Sequence, residues 1–124
     1  METDALVVIR KAVAEDWDNA MELAFRVFLK YEAEEYGPEG TRNFAQFLTD
    51  EDLKKMFLAG EYLLFVAETE GKLVGLISLR SKNHISLLFV DEKYHRKGIG
   101  TALVKHLQEY MLQNTKQQKL TVFA

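Results

Sequence analysis

The stretch from His84 to Val104, HISLLFVDEKYHRKGIGTALV, constrains the fold more than any other part of the chain. A run of apolar and β-branched residues, Ile85, Leu87, Leu88, Phe89 and Val90, ends in a short polar turn. The basic pair Arg96 and Lys97 leads into Gly98 and Gly100, and an apolar helical pattern opens at Ile99, Leu103 and Val104. A strand feeding a glycine turn that opens a helix makes an anion site. The first N–H groups of the helix have no partner within it, and its dipole favours negative charge there. Gly98 and Gly100 let a phosphate approach the backbone because no Cβ intervenes.

The nucleotide-binding alternatives fail on spacing. A Walker loop needs G-x-x-x-x-G-K-[ST], a string this sequence lacks, and a dinucleotide fingerprint needs a third glycine where Leu103 stands. The turn His95-Arg96-Lys97-Gly98-Ile99-Gly100 instead resembles the pyrophosphate loop of the GNAT superfamily of N-acetyltransferases, Q/R-x-x-G-x-G/A, with His95 in place of Gln or Arg. In that family this position contributes mostly its backbone N–H. The strand SLLFV before the turn is similar to the family's fourth strand. The resemblance is strong from Ile85 to about Leu107 and extends over the rest of the chain through the order of its elements.

At 124 residues the chain reads as one domain, 1–124, long enough to bury a core. Apolar content of 48% and charged content of 28% suit an ordinary globular protein. A net charge of -3 gives no reason to expect nucleic-acid affinity. The absence of cysteine excludes disulfides, thiolate metal sites and a cysteine nucleophile. No apolar run approaches the roughly 18 residues of a membrane span, and the N-terminus lacks a signal-peptide core, so a cytoplasmic protein off the membrane is expected.

Along the chain, Ala5 to Arg10 is a β-rich run. Glu15, Asp16 and Asp18 suit a first helical turn, and Trp17, Ala20, Met21, Ala24, Val27, Phe28 and Tyr31 recur at helical spacing behind them. Gly37-Pro38-Glu39-Gly40 breaks that helix. Thr41 is expected to cap a short helix carrying Phe44, Phe47 and Leu48, and Asp50 another carrying Leu53, Met56 and Phe57, with Gly60 past its end. Tyr62 to Ala67 and Leu73 to Arg80 read as a hairpin turning at Glu70-Gly71, and Ser81-Lys82-Asn83 turns into the central strand. A helix from about Gly98 to Gln113 and a strand from Lys119 to Ala124 complete the order β-α-α-β-β-β-α-β, a mixed α/β fold with an antiparallel meander.

This order is similar to the first two-thirds of the GNAT fold. The resemblance implies that the fourth and fifth strands splay apart and that acetyl-CoA wedges between them. Its pantetheine would lie along Leu88, Phe89 and Val90 as an added strand does. Its pyrophosphate would sit on His95, Arg96, Lys97, Gly98, Ile99, Gly100 and Thr101. The family continues past the fifth strand with a helix and two more strands, which this sequence lacks. A C-terminally truncated fold is therefore expected, with an apolar final edge that recruits a second copy into a homodimer or larger assembly.

The resemblance also implies the chemistry. A neutral amine attacks the thioester, so a base must take a proton from the ammonium, and an N–H on the central strand, Val90 by position, stabilises the oxyanion. Alternation along the strand groups His84, Ser86, Leu88 and Val90 on one face, making His84 a candidate base. The other reading of His84 is a loop end bonded to nearby backbone. Glu32, Glu34 and Glu35 either attract the cationic amine, with Glu32 and Glu35 as substrate-binding residues, or form a solvated helix end. Arg96 and Lys97 suit the coenzyme phosphates. Tyr31, Tyr36 and Phe28 either line a substrate slot or pack, while Leu107, Tyr110 and Met111 belong to the core and His106 to a solvated helix face. The histidines show no metal-ligand spacing, so no metal is expected, and Ser78, Ser81 and Ser86 lie in no nucleophile elbow. The expected function is acetyl transfer from acetyl-CoA to a primary amine of a small molecule or protein. The competing expectation is a coenzyme-binding module without turnover.

Overall fold

The structure, a computed structural model, describes residues 6–79, 84–114 and 121–122. The elements are β1 (Val8–Lys11), α1 (Trp17–Tyr31), α2 (Ala33–Leu48), α3 (Glu51–Leu58), β2 (Leu63–Thr69), β3 (Lys72–Leu79), β4 (His84–Val90), α4 (Ile99–Asn114) and β5 (Thr121–Val122). The sheet runs β1-β2-β3-β4-β5; the first four strands are antiparallel and β5 pairs parallel to β4. Three helices lie between β1 and β2, matching the three stretches of helical spacing read there, although the order β-α-α-β counts only two. The expected turn at Ser81-Lys82-Asn83 and the ends of the last strand lie outside the described residues.

Helices cover both faces of the sheet. One cluster joins Ala20, Ala24, Val27 and Phe28 of α1 to Leu64, Val66, Leu76, Leu87 and Phe89. The other joins Ile99, Leu103, Leu107 and Met111 of α4 to Phe65, Ala67, Ile77 and Ile85. Adjacent residues of β2 thus fall into opposite clusters, as the period of two requires. Burying each of the Val, Leu, Ile, Met and Phe side chains among these contributes about 1.5–3 kcal/mol.

Gly75 of β3 sits where α4 crosses. A Cβ built there would lie 3.1 Å from Leu103 Cδ1, 3.2 Å from Ile99 Cγ2 and 3.3 Å from the Phe89 carbonyl oxygen. Bare backbone at this position lets the N-terminal turn of α4 rest directly on the sheet.

Local signals explain most boundaries. Asp50 caps α3 by accepting from the Asp52 N–H at 2.8 Å. The helix ends with the Glu61 N–H donating to the Met56 carbonyl at 2.8 Å and the Gly60 N–H to Phe57 at 3.0 Å, with Gly60 at φ 81°. Glu70 and Gly71, at φ 52° and 76°, make the tight turn between β2 and β3.

The break at Gly37-Pro38 is a kink within α2, with Gly37 at φ 77° and ψ 177°. Pro38 enters the next helical stretch at its first turn, where its missing N–H costs nothing. Thr41 is therefore inside a helix rather than capping one. Asp16, expected to serve the helix dipole, is instead a buried hub. It accepts from Arg10 Nη1 at 2.7 Å, Arg10 Nη2 at 3.1 Å and the Val13 N–H at 2.7 Å, while Arg10 Nε reaches Glu68 at 2.9 Å.

Candidate active site

The edge of β4 defines the site. Val90 faces Gly75 across the β3 ladder, Phe89 faces Leu76, Leu88 faces Ile77 and Leu87 faces Ser78. The Asp91 N–H donates to the Val74 carbonyl at 2.8 Å, which sets the phase of the ladder. Bonding alternates along an antiparallel pair, so Leu87 and Phe89 bond to β3, and the N–H and C=O groups of Leu88 and Val90 face the opposite edge. On that edge β5 pairs only with His84 and Ile85. Among the described residues no strand pairs with this edge of β4 from Leu87 to Val90, the stretch along which the resemblance places the pantetheine.

A bulge corrects the expected grouping of His84, Ser86, Leu88 and Val90. Leu79 faces Ile85 and Ser78 faces Leu87, so Ser86 is an extra residue and the alternation resets there. Position 84 falls in register phase with Leu87 and Phe89 instead; the side chain of His84 lies outside the described part of the structure. The Tyr62 hydroxyl lies 2.7 Å from Ser78 Oγ and 3.4 Å from the bulged Ser86 Oγ.

Beyond Val90 the chain curls into the glycine turn. His95 contributes its ring as well as its backbone: Nε2 lies 2.7 Å from the Val90 carbonyl oxygen, and the ring centre is 5.2 Å from that of Tyr31. Arg96 and Gly98 both have positive φ, 65° and 78°. Such residues curl successive N–H groups toward a common point, the geometry of an anion cradle. For Arg96 this is a strained conformation, costing about 1 kcal/mol or more, of the kind that gathers at functional sites. A Cβ on Gly98 would meet nothing within 4 Å, so its backbone angle, rather than crowding, demands glycine. The first helical bond of α4 runs from the Ala102 N–H to the Gly98 carbonyl at 2.9 Å. The N–H groups of Ile99, Gly100 and Thr101 precede it and stand at the helix mouth.

Ion pairs lock this turn to α1. Arg26 reaches Asp91 at 3.2 Å and Glu92 at 3.4 Å, and Lys30 pairs with Glu92. Burial would raise the Asp91 carboxyl, but the Lys93 N–H and Arg26 outweigh it and hold the group below the usual carboxylate range.

Two cavities meet along the β4 edge. The first, about 410 Å³, runs between α1 and the glycine turn. Its lining brings together nearly all the expected coenzyme residues: Leu88, Phe89, Val90, His95, Arg96, Gly98, Ile99, Gly100 and Thr101, with Glu32. Lys97 is exposed and outside this lining. The second, about 650 Å³, lies under α2 and is walled by Phe28, Tyr36, Phe44 and Phe47. Glu32, Leu88 and Phe89 line both. Burial, reinforced by the charge of Glu35, pushes the Glu32 carboxyl above its ordinary range. Glu35 itself is exposed and lines neither cavity, so it acts on the site through its charge.

The sequence reading missed Tyr94 in the first cavity and Asn43, Phe44 and Phe47 in the second as site residues. The helical spacing of the latter group was visible, but it reads equally as packing. Among the described residues no helix is long and apolar enough to cross a membrane, and no group of three His, Asp or Glu gathers that could hold a metal ion.

A mixed sheet whose β4 edge runs on to a glycine turn at the start of α4 is an α/β arrangement. Comparison with known proteins narrows the class. The sequence profile of the acetyltransferase (GNAT) domain matches residues 32–124, so the chain belongs to the GNAT acetyltransferase family. A GCN5-related N-acetyltransferase of Rhodopseudomonas palustris superposes with a TM-score of 0.81 at 25% identity, over 100% of this chain and 77% of that one. The PaiA N-acetyltransferase of Thermoplasma acidophilum, solved in complex with coenzyme A, superposes with a TM-score of 0.72 at 20% identity, over 88% of this chain and 74% of that one. A predicted acetyltransferase of Clostridium acetobutylicum, solved with acetyl-CoA, shares the fold with a TM-score of 0.69 at 11% identity, over 96% of this chain and 81% of that one.

Proposed function

We propose that this chain transfers an acetyl group from acetyl-CoA to a primary amine. The observation that carries the proposal is the edge of β4 from Leu87 to Val90, which no described strand pairs, followed by the glycine turn at the mouth of α4. The residues fit the ligand: an extended amide chain matches a free strand edge, and a diphosphate matches the cradle at Arg96 and Gly98. Relatives of the same fold solved with coenzyme A or acetyl-CoA support this choice.

The thioester of acetyl-CoA supplies the activated acetyl group: the new C–N bond replaces its C–S bond, and coenzyme A leaves as the thiol. We assign the N–H groups of Ile99, Gly100 and Thr101, with Arg96 and Lys97, to the diphosphate, and Val90 to the pantetheine. Leu88 is one bonding position further from the turn and borders both cavities. Its N–H, rather than that of Val90, is therefore our choice of donor to the carbonyl oxygen as negative charge develops on it. Glu32 borders both cavities as well, and we assign it to draw in the ammonium and accept its proton. His84 is the second candidate base, because the bulge brings its position into phase with Leu87 and Phe89, two of the β4 residues that line the second cavity.

Calorimetry with acetyl-CoA and coenzyme A, followed by amine-dependent thiol release, tests the proposal. Micromolar binding and turnover support it; no binding of either coenzyme form refutes it.

A further inference from the structure

We infer that the second cavity selects a monoamine with an aromatic or similarly bulky apolar body, an arylalkylamine being the type. This rests on the acetyl-transfer reading above and names its acceptor. The walls decide the body of the ligand. Tyr36, Phe28, Phe44 and Phe89 form a row of rings with centres 5.5, 4.4 and 5.8 Å apart, leading from the half-exposed Tyr36 to the edge of β4. A space of about 650 Å³ exceeds what a one- or two-carbon amine fills.

The charges decide the head group. Glu32 supplies the single carboxylate among the described lining residues, and it stands at the end shared with the coenzyme groove. No Lys or Arg among the described lining residues faces this cavity. The carboxylate of an amino acid would therefore find no counter-charge there, and the second ammonium of a diamine would be desolvated against rings without a carboxylate. One ammonium at Glu32 with an apolar body along the rings satisfies both conditions.

The backbone is shaped for this wall. The Gly37 kink separates Tyr36 from Phe44 and Phe47, yet all three line the same cavity. A Cβ on Gly40 would stand 2.9 Å from Tyr36 Cβ, so the missing side chain clears the space Tyr36 occupies.

The test uses the whole chain with acetyl-CoA and compares 2-phenylethylamine, hexylamine, putrescine and alanine. The expected result is a kcat/KM for 2-phenylethylamine at least about ten-fold above putrescine and alanine, with hexylamine between. Tyr36→Ala is expected to narrow the ratio of 2-phenylethylamine to putrescine by about ten-fold, chiefly through KM. Phe44→Leu, which keeps most of the buried volume, should narrow it in the same direction. Preference for putrescine or alanine, or a ratio unmoved by both variants, overturns the inference. Calorimetric binding of the amines, with and without coenzyme A, separates the two levels. A chain that fails to bind the coenzyme refutes acetyl transfer, whereas one that binds the coenzyme but prefers putrescine to 2-phenylethylamine refutes the acceptor assignment alone.

Discussion

His95 Nε2 lies 2.7 Å from the carbonyl oxygen of Val90. A carbonyl only accepts, so the ring nitrogen donates, and the bond ties the first residue of the glycine turn to the last residue of β4. His95→Ala is expected to raise the acetyl-CoA Kd by about three- to ten-fold, the equivalent of one hydrogen bond. His95→Gln, which keeps a side-chain donor, should recover most of the loss. Calorimetry on both variants checks this; equal losses would show that the ring, not the donor, matters.

Gly98 tests the cradle by backbone angle. At φ 78°, with open space around a built Cβ, Gly98→Ala should lower stability by about 1 kcal/mol and weaken acetyl-CoA several-fold through the turn geometry alone. Gly98→Asp adds a negative charge at the helix mouth, where a diphosphate is expected, and should weaken binding by at least about 100-fold. Titration of both variants, with thermal unfolding in parallel, separates strain from charge.

Glu32 couples chemistry to stability in opposite directions. Burial and then Glu35 raise its carboxyl above the ordinary value, so the protonated form is favoured in the fold. That contribution to stability is complete below the ordinary carboxylate pKa of about 4.3 and is lost as pH rises through the raised value. Glu32→Gln should therefore unfold at a higher temperature at pH 7 while lowering kcat/KM by about 100-fold or more. In the wild type kcat/KM should fall as pH drops into the range where Glu32 takes a proton. If Glu32→Gln keeps the wild-type rate and pH profile while His84→Ala abolishes the acidic limb, proton removal belongs to His84.

Asp16 makes the chain sensitive to acid. Hydrogen bonds from Arg10, opposed by burial and helped by the Val13 N–H, hold its carboxyl below the ordinary value. Its contribution to stability is full above a pH of about 4 and is lost as pH falls further through the lowered value. Asp16→Asn should cost about 2 kcal/mol at pH 7, and the gap to wild type should shrink toward pH 2. Chemical denaturation at both pH values measures it.

Much of this architecture is legible in the residues themselves. Alternating apolar residues mark β2 and β4, helical spacing marks the buried stripe of α1, and Asp50 and Gly60 bracket α3 because capping is local chemistry. The turn from His95 to Thr101 is legible because glycine at a helix start has few other uses. The features that stayed hidden depend on partners distant in sequence. The Ser86 bulge exists only in the pairing with Ser78 and Leu79, so a single strand reads as unbroken alternation. Arg10 and Glu68 meet across paired strands, while Glu32 becomes a site residue only once two cavities close around it. Phe44 and Phe47 show an apolar face, but spacing does not distinguish a face that packs from one that lines a space.

Gly75 lines neither cavity, but it backs Ile99 and Phe89, which do, and so bears on how close the start of α4 sits to the sheet. Leu103 and Ile99 lie against the bare backbone of β3, so a methyl group at position 75 would have to displace these side chains at the near end of α4 by a few tenths of an ångström. Because the cradle rides on that end and the open edge belongs to β4, their separation is a gauge fixed by one absent carbon. A ligand that must touch both is measured by it.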